Sequence, residues 1–399
     1  MIDICEESLK LQEQLVAWRR ELHRCPEVGL ETPLTAAFIS KKLTDLQIEH
    51  QTNVGGSGIV GIIRGGKKGQ TIALRADMDA LAIREDTGLS FASQNGNMHA
   101  CGHDAHAAML LGAAGILCTR RDQLRGNIKL IFQSGEEGPG GAKPMIEEGV
   151  LEDPCVDSVM GLHIGNQFHE VKNGQVGLHY GNVMACLDSF KIKITGRGCH
   201  GAMPNMGVDP IVIAAQVITA LQTLVSREIV PTSPAVVTVG IVNGGVAYNI
   251  IPDEVVLIGT ARALEQGVRD QLAGRIENLV AGIAQGMRGG YEFSYTYGYP
   301  PLVNNEEFTK GFKKTAEKIV GAKNVIEIAK PTMGGEDMAY YLEKVPGTFF
   351  FLGSGNPEKN ADYPHHNARF DIDEDVLWKG TALLAQGAID WLENNGGPA

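Results

Sequence analysis

The stretch Thr71-Ile72-Ala73-Leu74-Arg75-Ala76-Asp77-Met78-Asp79 is a strand-like apolar run that ends in two carboxylates. Residues 128–133 form a second apolar run, which leads into Glu136-Glu137. Residues 159–162 form a third run, which leads into His163. Helix-forming stretches separate these runs, and strands that alternate with helices form mainly parallel sheets. We therefore predict an α/β fold with a mostly parallel sheet and a functional site beyond the carboxyl ends of its strands.

A different pattern occupies the middle of the chain. Strand-like runs cover residues 190–194, 235–242, 254–263 and 291–297, and helix-like runs cover residues 210–226 and 266–287. This β-α-β-β-α-β order is typical of a ferredoxin-like α+β domain with an antiparallel sheet. We predict such a domain at residues 185–298, inserted into a discontinuous catalytic domain made of residues 1–184 and 299–399.

Composition and charge restrict the class of protein. The chain has 399 residues, 43% of them hydrophobic and 21% charged, which is ordinary for a soluble protein of about two domains. Its net charge of −12 argues against a nucleic-acid-binding surface. We see no signal peptide, and we expect no membrane span because no run reaches the ~18–20 apolar residues that one needs. Seven scattered cysteines, an odd number, favour a reducing cytoplasm over a disulfide framework.

Side chains that bind transition metals are concentrated in Asn97-Met98-His99-Ala100-Cys101-Gly102-His103-Asp104-Ala105-His106. In an extended segment Cys101 and His103 would point to the same side. Glu137, His163 and the pair His365-His366 are further candidate ligands in the same predicted domain. This number of protein ligands exceeds the three that a single catalytic zinc usually takes, so a site for two metal ions is expected.

The adjacent glutamates suggest acid–base chemistry. Neighbouring side chains of an extended segment point apart, so one carboxylate could bind metal while the other faces the substrate water. We assign Glu136 as the general base and Glu137 as the ligand.

A second group of polar residues lies in the predicted inserted domain. The glycine-rich loop 196–204 presents His200, which could stabilise the oxyanion formed when an amide carbonyl is attacked. Asn249 and Arg262 could bind a substrate carboxylate, which arginine can do in bidentate fashion.

These motifs resemble a known family. They are residues 73–81 (ALRADMDAL), 98–106 (MHACGHDAH), 133–138 (QSGEEG) and 334–337 (GGED). Together they resemble the metal-dependent amidohydrolases that include hippurate hydrolase, N-acyl-amino-acid amidohydrolases and plant auxin-conjugate hydrolases, within the aminoacylase/carboxypeptidase clan.

The resemblance implies specific roles. It implies two metal ions, with the ligands Cys101, His103, Glu137, His163 and His366, and Glu136 as general base. Asp79 resembles a carboxylate that orients a ligand. The inserted domain is implied to form a homodimer, in which His200 completes the site of the partner subunit. Asp77 departs from the wider clan, where this position is a metal-binding histidine, and this departure leaves the bridging ligand open.

The predicted function is hydrolysis of the amide bond of N-acyl amino acids, such as hippurate or N-acetyl conjugates. The metals are open among manganese, zinc, nickel and cobalt. Three alternatives stay open: a dipeptidase or carboxypeptidase that uses the same site, a cysteine hydrolase that uses Cys101, and a non-catalytic acyl-amino-acid binding protein.

Overall fold

The computed structural model describes residues 3–395. Its α-helices are α1 (Ile4–Lys10), α2 (Gln12–His23), α3 (Pro33–Asp45), α4 (His103–Thr119), α5 (Ala142–Glu147), α6 (Pro210–Thr223), α7 (Gln266–Gly286), α8 (Glu306–Val320), α9 (Ala339–Leu342) and α10 (Leu377–Asn395). Its strands are β1 (Glu49–Val54), β2 (Gly58–Arg64), β3 (Lys67–Asp77), β4 (Arg125–Gln133), β5 (Ser158–Gly165), β6 (Val176–Leu178), β7 (Gly181–Met184), β8 (Asp188–Thr195), β9 (Cys199–His200), β10 (Ala235–Gly244), β11 (Ile250–Ile251), β12 (Glu254–Ala263), β13 (Gly290–Thr296), β14 (Leu302–Asn304), β15 (Val325–Glu327) and β16 (Gly347–Gly353).

The chain divides into two compact units. Unit 1 contains the residues up to Gly181, Val303–Lys330 and the residues from Tyr340 onward, and unit 2 contains Asn182–Leu302 and Pro331–Ala339. Unit 2 therefore includes a segment, Pro331–Ala339, that the sequence assigned to the catalytic domain. The reason is backbone pairing, because the N–H of Ala185 donates to the carbonyl of Gly334 at 2.8 Å.

Unit 1 is built on an eight-stranded sheet with the order β1-β2-β4-β3-β5-β16-β6-β15. The central strands β4, β3, β5 and β16 run parallel to one another, whereas β2 pairs antiparallel with β4. The prediction of an α/β fold with a mostly parallel sheet is thereby confirmed. The carboxyl ends of these four strands lie at one edge, as parallel pairing requires.

Helix α4 lies in the core of unit 1. Almost all of its residues are buried, so it is apolar on every side rather than amphipathic. Helix α10 packs against it, and the hydroxyl of Thr381 donates to the carbonyl of Met109 at 3.2 Å. A buried helix of this kind gives its first turn a fixed position, which matters because that turn carries His103.

Unit 2 is a two-layer α+β fold, as predicted. Its four-stranded sheet has the order β10-β12-β8-β13, and all neighbouring strands are antiparallel. Strand β8 alternates between buried and less buried residues, because one face of the sheet packs against α6 and α7. The buried side chains of these helices and strands form a separate hydrophobic core.

One helical stretch of the described residues bears on the expectation about membrane spans. Pro210–Glu228, which contains α6, has 19 residues and a mean hydropathy of 1.3, so by length and composition it could cross a membrane. One face of it is buried on the sheet of unit 2 through Ile213, Val217 and Leu221. A core helix of a soluble protein passes the same test, so this stretch is weak evidence for a membrane span.

Candidate metal centre

Polar side chains collect at the carboxyl edge of the parallel strands of unit 1. Asp77 is the last residue of β3, and Glu136 and Glu137 lie in a turn that follows β4. Cys101 lies two residues before His103, the first residue of α4. His163 is close to the end of β5.

All five predicted metal ligands and the predicted base belong to one cluster. It consists of overlapping groups whose donor atoms lie within 4.8 Å of one another: Cys101, Glu137 and His366; Cys101, His163 and His365; and His103, Glu136 and Glu137. Because Cys101 and Glu137 each belong to two of these groups, the groups form one continuous site.

The segment from Cys101 to His103 is not extended, contrary to the prediction. His103 is the first residue of α4, and Gly102 precedes it with a φ of 91°. A Cβ on Gly102 would lie 2.8 Å from Cγ2 of Ile164 in β5, so the close approach requires glycine. A left-handed turn, rather than strand alternation, therefore sets the directions of Cys101 and His103.

The two glutamates also lie in a turn, so the predicted opposite directions of their side chains do not arise from strand geometry. Nε2 of His103 lies 4.0 Å from Oε2 of Glu136 and 4.0 Å from Oε1 of Glu137. Asp79 fixes this turn, because its carboxylate accepts the backbone N–H of Glu136 at 3.0 Å and that of Glu137 at 3.1 Å. Oδ1 of Asp79 also lies 3.4 Å from Nδ1 of His103.

His163 lies inside β5 rather than after its end. Its Nδ1 lies 2.8 Å from the carbonyl oxygen of Ile164, which can only accept, so Nδ1 carries the proton. The unprotonated Nε2 lies 3.4 Å from Sγ of Cys101. Burial holds the pKa of His163 well below its usual range, so the ring is neutral. This is the form and tautomer in which imidazole binds a metal.

The two adjacent histidines near the C-terminus occupy different positions. Nε2 of His366 lies 3.1 Å from Oε1 of Glu137, and the side chain remains 52% exposed. The backbone N–H of His366 donates to the carbonyl of Ala100 at 2.9 Å, which ties this loop to the segment before Cys101. His365 is less exposed, and its Nδ1 lies 3.6 Å from Sγ of Cys101. The structure thus brings both histidines of the predicted pair to the cluster, although the family resemblance implies a ligand role only for His366.

Comparison with known proteins decides the family. The sequence matches Peptidase family M20/M25/M40 over residues 73–389. The chain belongs to this family. A solved structure from Bacillus subtilis, described as a dinuclear metal-binding peptidase of family M20, is 33% identical, aligns with a TM-score of 0.83, and the match covers 96% of this chain and 99% of that one.

Two relatives of the chain are named for different activities. The N-acetyl-L-cysteine deacetylase of Bacillus subtilis is 42% identical over 386 residues, which cover 96% of this chain and 90% of that protein. Thermostable carboxypeptidase 1 of Saccharolobus solfataricus is 40% identical over 384 residues, which cover 94% of this chain and 95% of that protein. The resemblance to metal-dependent amidohydrolases is confirmed, and the chain is an M20 hydrolase of amide or peptide bonds.

The cluster fits the divalent metal ions of an M20 hydrolase. Both ring nitrogens of His103 are buried, and although Nδ1 lies 3.4 Å from Oδ1 of Asp79, neither makes a hydrogen bond of good geometry to any of residues 3–395. A buried polar atom without a partner is unfavourable unless a ligand satisfies it. A thiol, imidazoles and carboxylates together are suitable donors for zinc, nickel, cobalt or manganese.

The electrostatics of the cluster also suit a cation. Burial opposes a positive charge on His103, but the carboxylates of Asp77 and Asp79 outweigh it and raise the pKa of His103 to about 10. Burial, and then the charges of Glu137 and Glu136, raises the pKa of the Cys101 thiol well above its usual range. Negative charge therefore dominates the site, and a divalent cation would balance it.

A buried hydrogen-bonded chain behind the ligands was not predicted. Nδ1 of His106 donates to Oδ1 of Asp77, and Nε2 of His106 accepts the backbone N–H of Ile164 at 2.8 Å. The other oxygen of Asp77 accepts from Arg75 at 2.7 Å. His106 and Asp77 are therefore occupied by protein partners. The signal in the sequence was the spacing of His103 and His106, which places both on one helix face.

A second unpredicted group anchors the start of α4. Oδ2 of the buried Asp104 lies 2.8 Å from Nε of Arg19 and 2.7 Å from Nδ1 of His23. Nη2 of Arg19 also donates to Asp371 at 2.7 Å. Arg19 and His23 are four residues apart on α2, so they share a face. Apolar spacing alone does not single out these two polar positions of α2.

The remaining predicted site residues belong to unit 2. His200 is exposed in β9, and its Nδ1 accepts the backbone N–H of Ala202 at 3.0 Å. Asn249 is exposed beside β11. Arg262 lies in β12, with Nε 3.2 Å from the hydroxyl of Thr260. The roles of His200, Asn249 and Arg262 in catalysis and substrate binding stay predictions.

Proposed function

We propose that this M20 protein is a metal-dependent amidohydrolase that cleaves N-acyl amino acids to a carboxylate and a free amino acid. The observation that carries the proposal is the pair of adjacent glutamates. Both glutamates lie 4.0 Å from Nε2 of His103, and Glu137 also groups with Cys101 and His366. Metal-assisted hydrolysis needs one carboxylate that holds metal and one that moves protons, and this turn offers both.

Two divalent metal ions would be held by five side chains: Cys101, His103, Glu137, His163 and His366. A bound divalent metal lowers the pKa of water and polarises the amide carbonyl. Thiolate and imidazole favour zinc or nickel, while the carboxylates also admit manganese or cobalt.

Glu136 is the proposed general base. As a carboxylate it takes a proton from the attacking water and then delivers a proton to the leaving amine. The backbone N–H of Glu136 donates to Asp79, which limits the positions that its carboxylate can reach. We propose that His200 stabilises the negative charge that develops on the carbonyl oxygen.

Arg262 supports an amino-acid carboxylate as part of the substrate. Its guanidinium donates to neutral acceptors, the hydroxyl of Thr260 at 3.2 Å and the carbonyl of Met333 at 3.5 Å. An arginine with neutral partners keeps its charge available for a carboxylate. We propose that Arg262 and Asn249 bind the carboxylate of the amino-acid portion.

A dipeptidase or carboxypeptidase activity is the second candidate. The same metal ligands and the same base serve any amide of this kind, and similarity to a carboxypeptidase and a deacetylase is nearly equal. The cysteine-hydrolase alternative is disfavoured, because a nucleophilic cysteine needs a lowered pKa whereas that of Cys101 is raised by burial. An intact Glu136 argues against a binding protein without catalysis.

We further propose a cytoplasmic homodimer, in which His200 acts at the site of the partner subunit. All seven cysteines are free, which is compatible with a reducing compartment. Cell fractionation tests the location.

The test of function is hydrolysis of a substrate panel by purified protein. Hippurate, several N-acetyl amino acids and several dipeptides are incubated with the metal-free protein and then with manganese, zinc, cobalt or nickel. We expect metal to restore cleavage of N-acyl amino acids and Arg262→Ala to raise KM. Preferred cleavage of dipeptides would support the peptidase, and absence of all cleavage at confirmed metal occupancy would refute both activities.

A further inference from the structure

His365 lies in a slot that fixes the orientation of its ring. The ring is tilted by 36° against Phe370, with the ring centroids 4.8 Å apart. On another side it meets Gly165, where an added Cβ would lie 2.1 Å from Nε2 of His365. A side chain at position 165 would therefore displace the imidazole. Since His365 is not among the ligands proposed above, this fixed orientation needs another explanation.

The protonation of His365 follows from a backbone partner. Its Nε2 lies 3.1 Å from the backbone N–H of Asn166 and accepts that hydrogen bond. An amide N–H can only donate, so Nε2 carries no proton, and the neutral ring carries its proton on Nδ1. Nδ1 lies 3.6 Å from Sγ of Cys101, so the N–H of His365 points to sulfur.

His163 faces the same sulfur atom, that of Cys101, and has the opposite tautomer. Its Nδ1–H donates to the carbonyl of Ile164, so Nε2, 3.4 Å from Sγ of Cys101, presents a lone pair. Cys101 thus lies between one imidazole that can accept from the thiol and one that can only donate to sulfur. A metal ion needs the lone pair of His163, whereas the only lone pair of neutral His365 is used by Asn166.

We propose that His365 is a positioning residue, which donates a hydrogen bond from Nδ1 to the sulfur of Cys101 and does not bind metal. This inference rests on the metal-dependent site proposed above. Hydrogen bonds to a thiolate withdraw electron density from sulfur and change the properties of the metal that it binds. The hydrogen bond would also hold Sγ in the orientation that a metal ion requires.

The test uses cobalt(II), whose thiolate charge-transfer absorption reports the state of the sulfur. The wild-type protein and its His365→Leu, His365→Asn and His366→Asn variants are loaded with cobalt, and the spectrum, the number of ions bound and the affinity are measured. We expect His365→Leu to keep both ions, shift the thiolate band to lower energy and bind cobalt roughly 10-fold more weakly. His365→Asn, whose amide N–H is near the position of Nδ1, should restore the band.

The His366→Asn variant is the matched control, because loss of a proposed ligand should lower the number of ions bound per chain. The inference is overturned if His365→Leu loses an ion in the same way, or if its band is unchanged. It is also overturned if the wild-type protein shows no band that Cys101→Ser removes, and that result alone would contradict the proposed metal site. Far-ultraviolet circular dichroism checks that each variant is folded.

Discussion

At the scale of single residues, the chemistry depends on which partners each donor atom already has. His106 uses both ring nitrogens within the protein, with Asp77 and Ile164, whereas both ring nitrogens of His103 are without a hydrogen bond among the described residues. The residue type alone therefore does not show which histidine binds a metal ion. The two adjacent glutamates lie equally far from His103, and Glu137 differs from Glu136 in its additional proximity to Cys101 and His366.

The substitution Glu136→Gln tests the proposed division of roles. It removes the basic carboxylate but keeps the size of the side chain, so kcat should fall by about 10²- to 10⁴-fold while both metal ions remain bound. Turnover on the best substrate and metal content by elemental analysis are measured together. Glu137→Gln is the control, since it should lose metal. A Glu136→Gln variant with near-wild-type kcat would remove Glu136 from the mechanism.

At the scale of elements, turns, loops and the start of α4 position the proposed ligands, except His163, which lies in β5. Asp79 holds the turn with the two glutamates, and the left-handed Gly102 starts α4 at His103. The C-terminal loop depends on Asp373, whose carboxylate accepts from several groups: Asn173 at 2.7 Å, Asn356 at 2.7 Å and Lys359 at 2.7 Å. Substitutions at Gly102 and at Asp373 should disturb the first turn of α4 and the C-terminal loop, respectively.

Gly102→Ala should disturb the first turn of α4. The added Cβ meets Ile164 and the φ of 91° is unfavourable for alanine, so we expect a loss of about 1–3 kcal/mol and a lower metal content. Gly96→Ala is the control, because Gly96 has a φ of 87° but nothing within 4 Å of an added Cβ. Thermal unfolding and metal analysis are measured for both. Equal effects on metal content would show that contact with Ile164 is unimportant.

The lowered pKa of Asp373 predicts that the stability of the folded protein depends on pH. Burial favours its neutral form, but Lys359, Asn356 and Asn173 outweigh burial and lower its pKa to about 2. Its pKa in the unfolded chain is about 3.9, so its stabilisation is fully present above that value and is lost as the pH falls towards 2. Asp373→Asn should cost about 1–3 kcal/mol at pH 7 and less at pH 3. Melting temperatures from pH 7 to pH 3 test this, and a cost that does not shrink in acid would contradict it.

At the scale of the whole molecule, the proposed homodimer requires a surface for a second copy of the chain, and one sheet edge of unit 2 has the apolar character that such a surface needs. Strand β10 is at the edge of its sheet and exposes Ile241 (46%) and Val242 (56%). The opposite edge strand, β13, exposes Glu292 and Ser294 instead. Exposed apolar edges favour pairing with another strand, whereas polar side chains protect an edge.

Val242→Lys should therefore weaken the proposed dimer. The charge would be buried against the partner strand without a counter-charge, so the dissociation constant should rise by more than ~10-fold. Light scattering after size-exclusion chromatography measures the mass over a range of concentrations. Ser294→Lys on β13 is the matched control and should leave the mass unchanged. If wild-type protein is a monomer at all concentrations, the homodimer proposal fails.

Much of the fold followed from local patterns. Apolar runs predicted the strands that end at Asp77 and Gln133, and the change to alternating residues after 184 predicted the α+β unit. The boundaries of unit 2 were less predictable, because Gly334 joins it through a backbone hydrogen bond to Ala185. No local sequence pattern indicates a contact between two residues that are so far apart in the chain.

The sequence by itself determined the kinds of donor atoms and the edge of the sheet where they collect, because residue types and the alternation of strands with helices along the chain are local properties. Only the tertiary structure decided which nitrogen of each histidine carries the proton. The carbonyl of Ile164 selects the tautomer of His163, and the amide of Asn166 selects that of His365. These backbone groups are fixed donors and acceptors, and the fold determines which ring nitrogen they meet. The same sulfur therefore meets a lone pair from one imidazole and an N–H from the other.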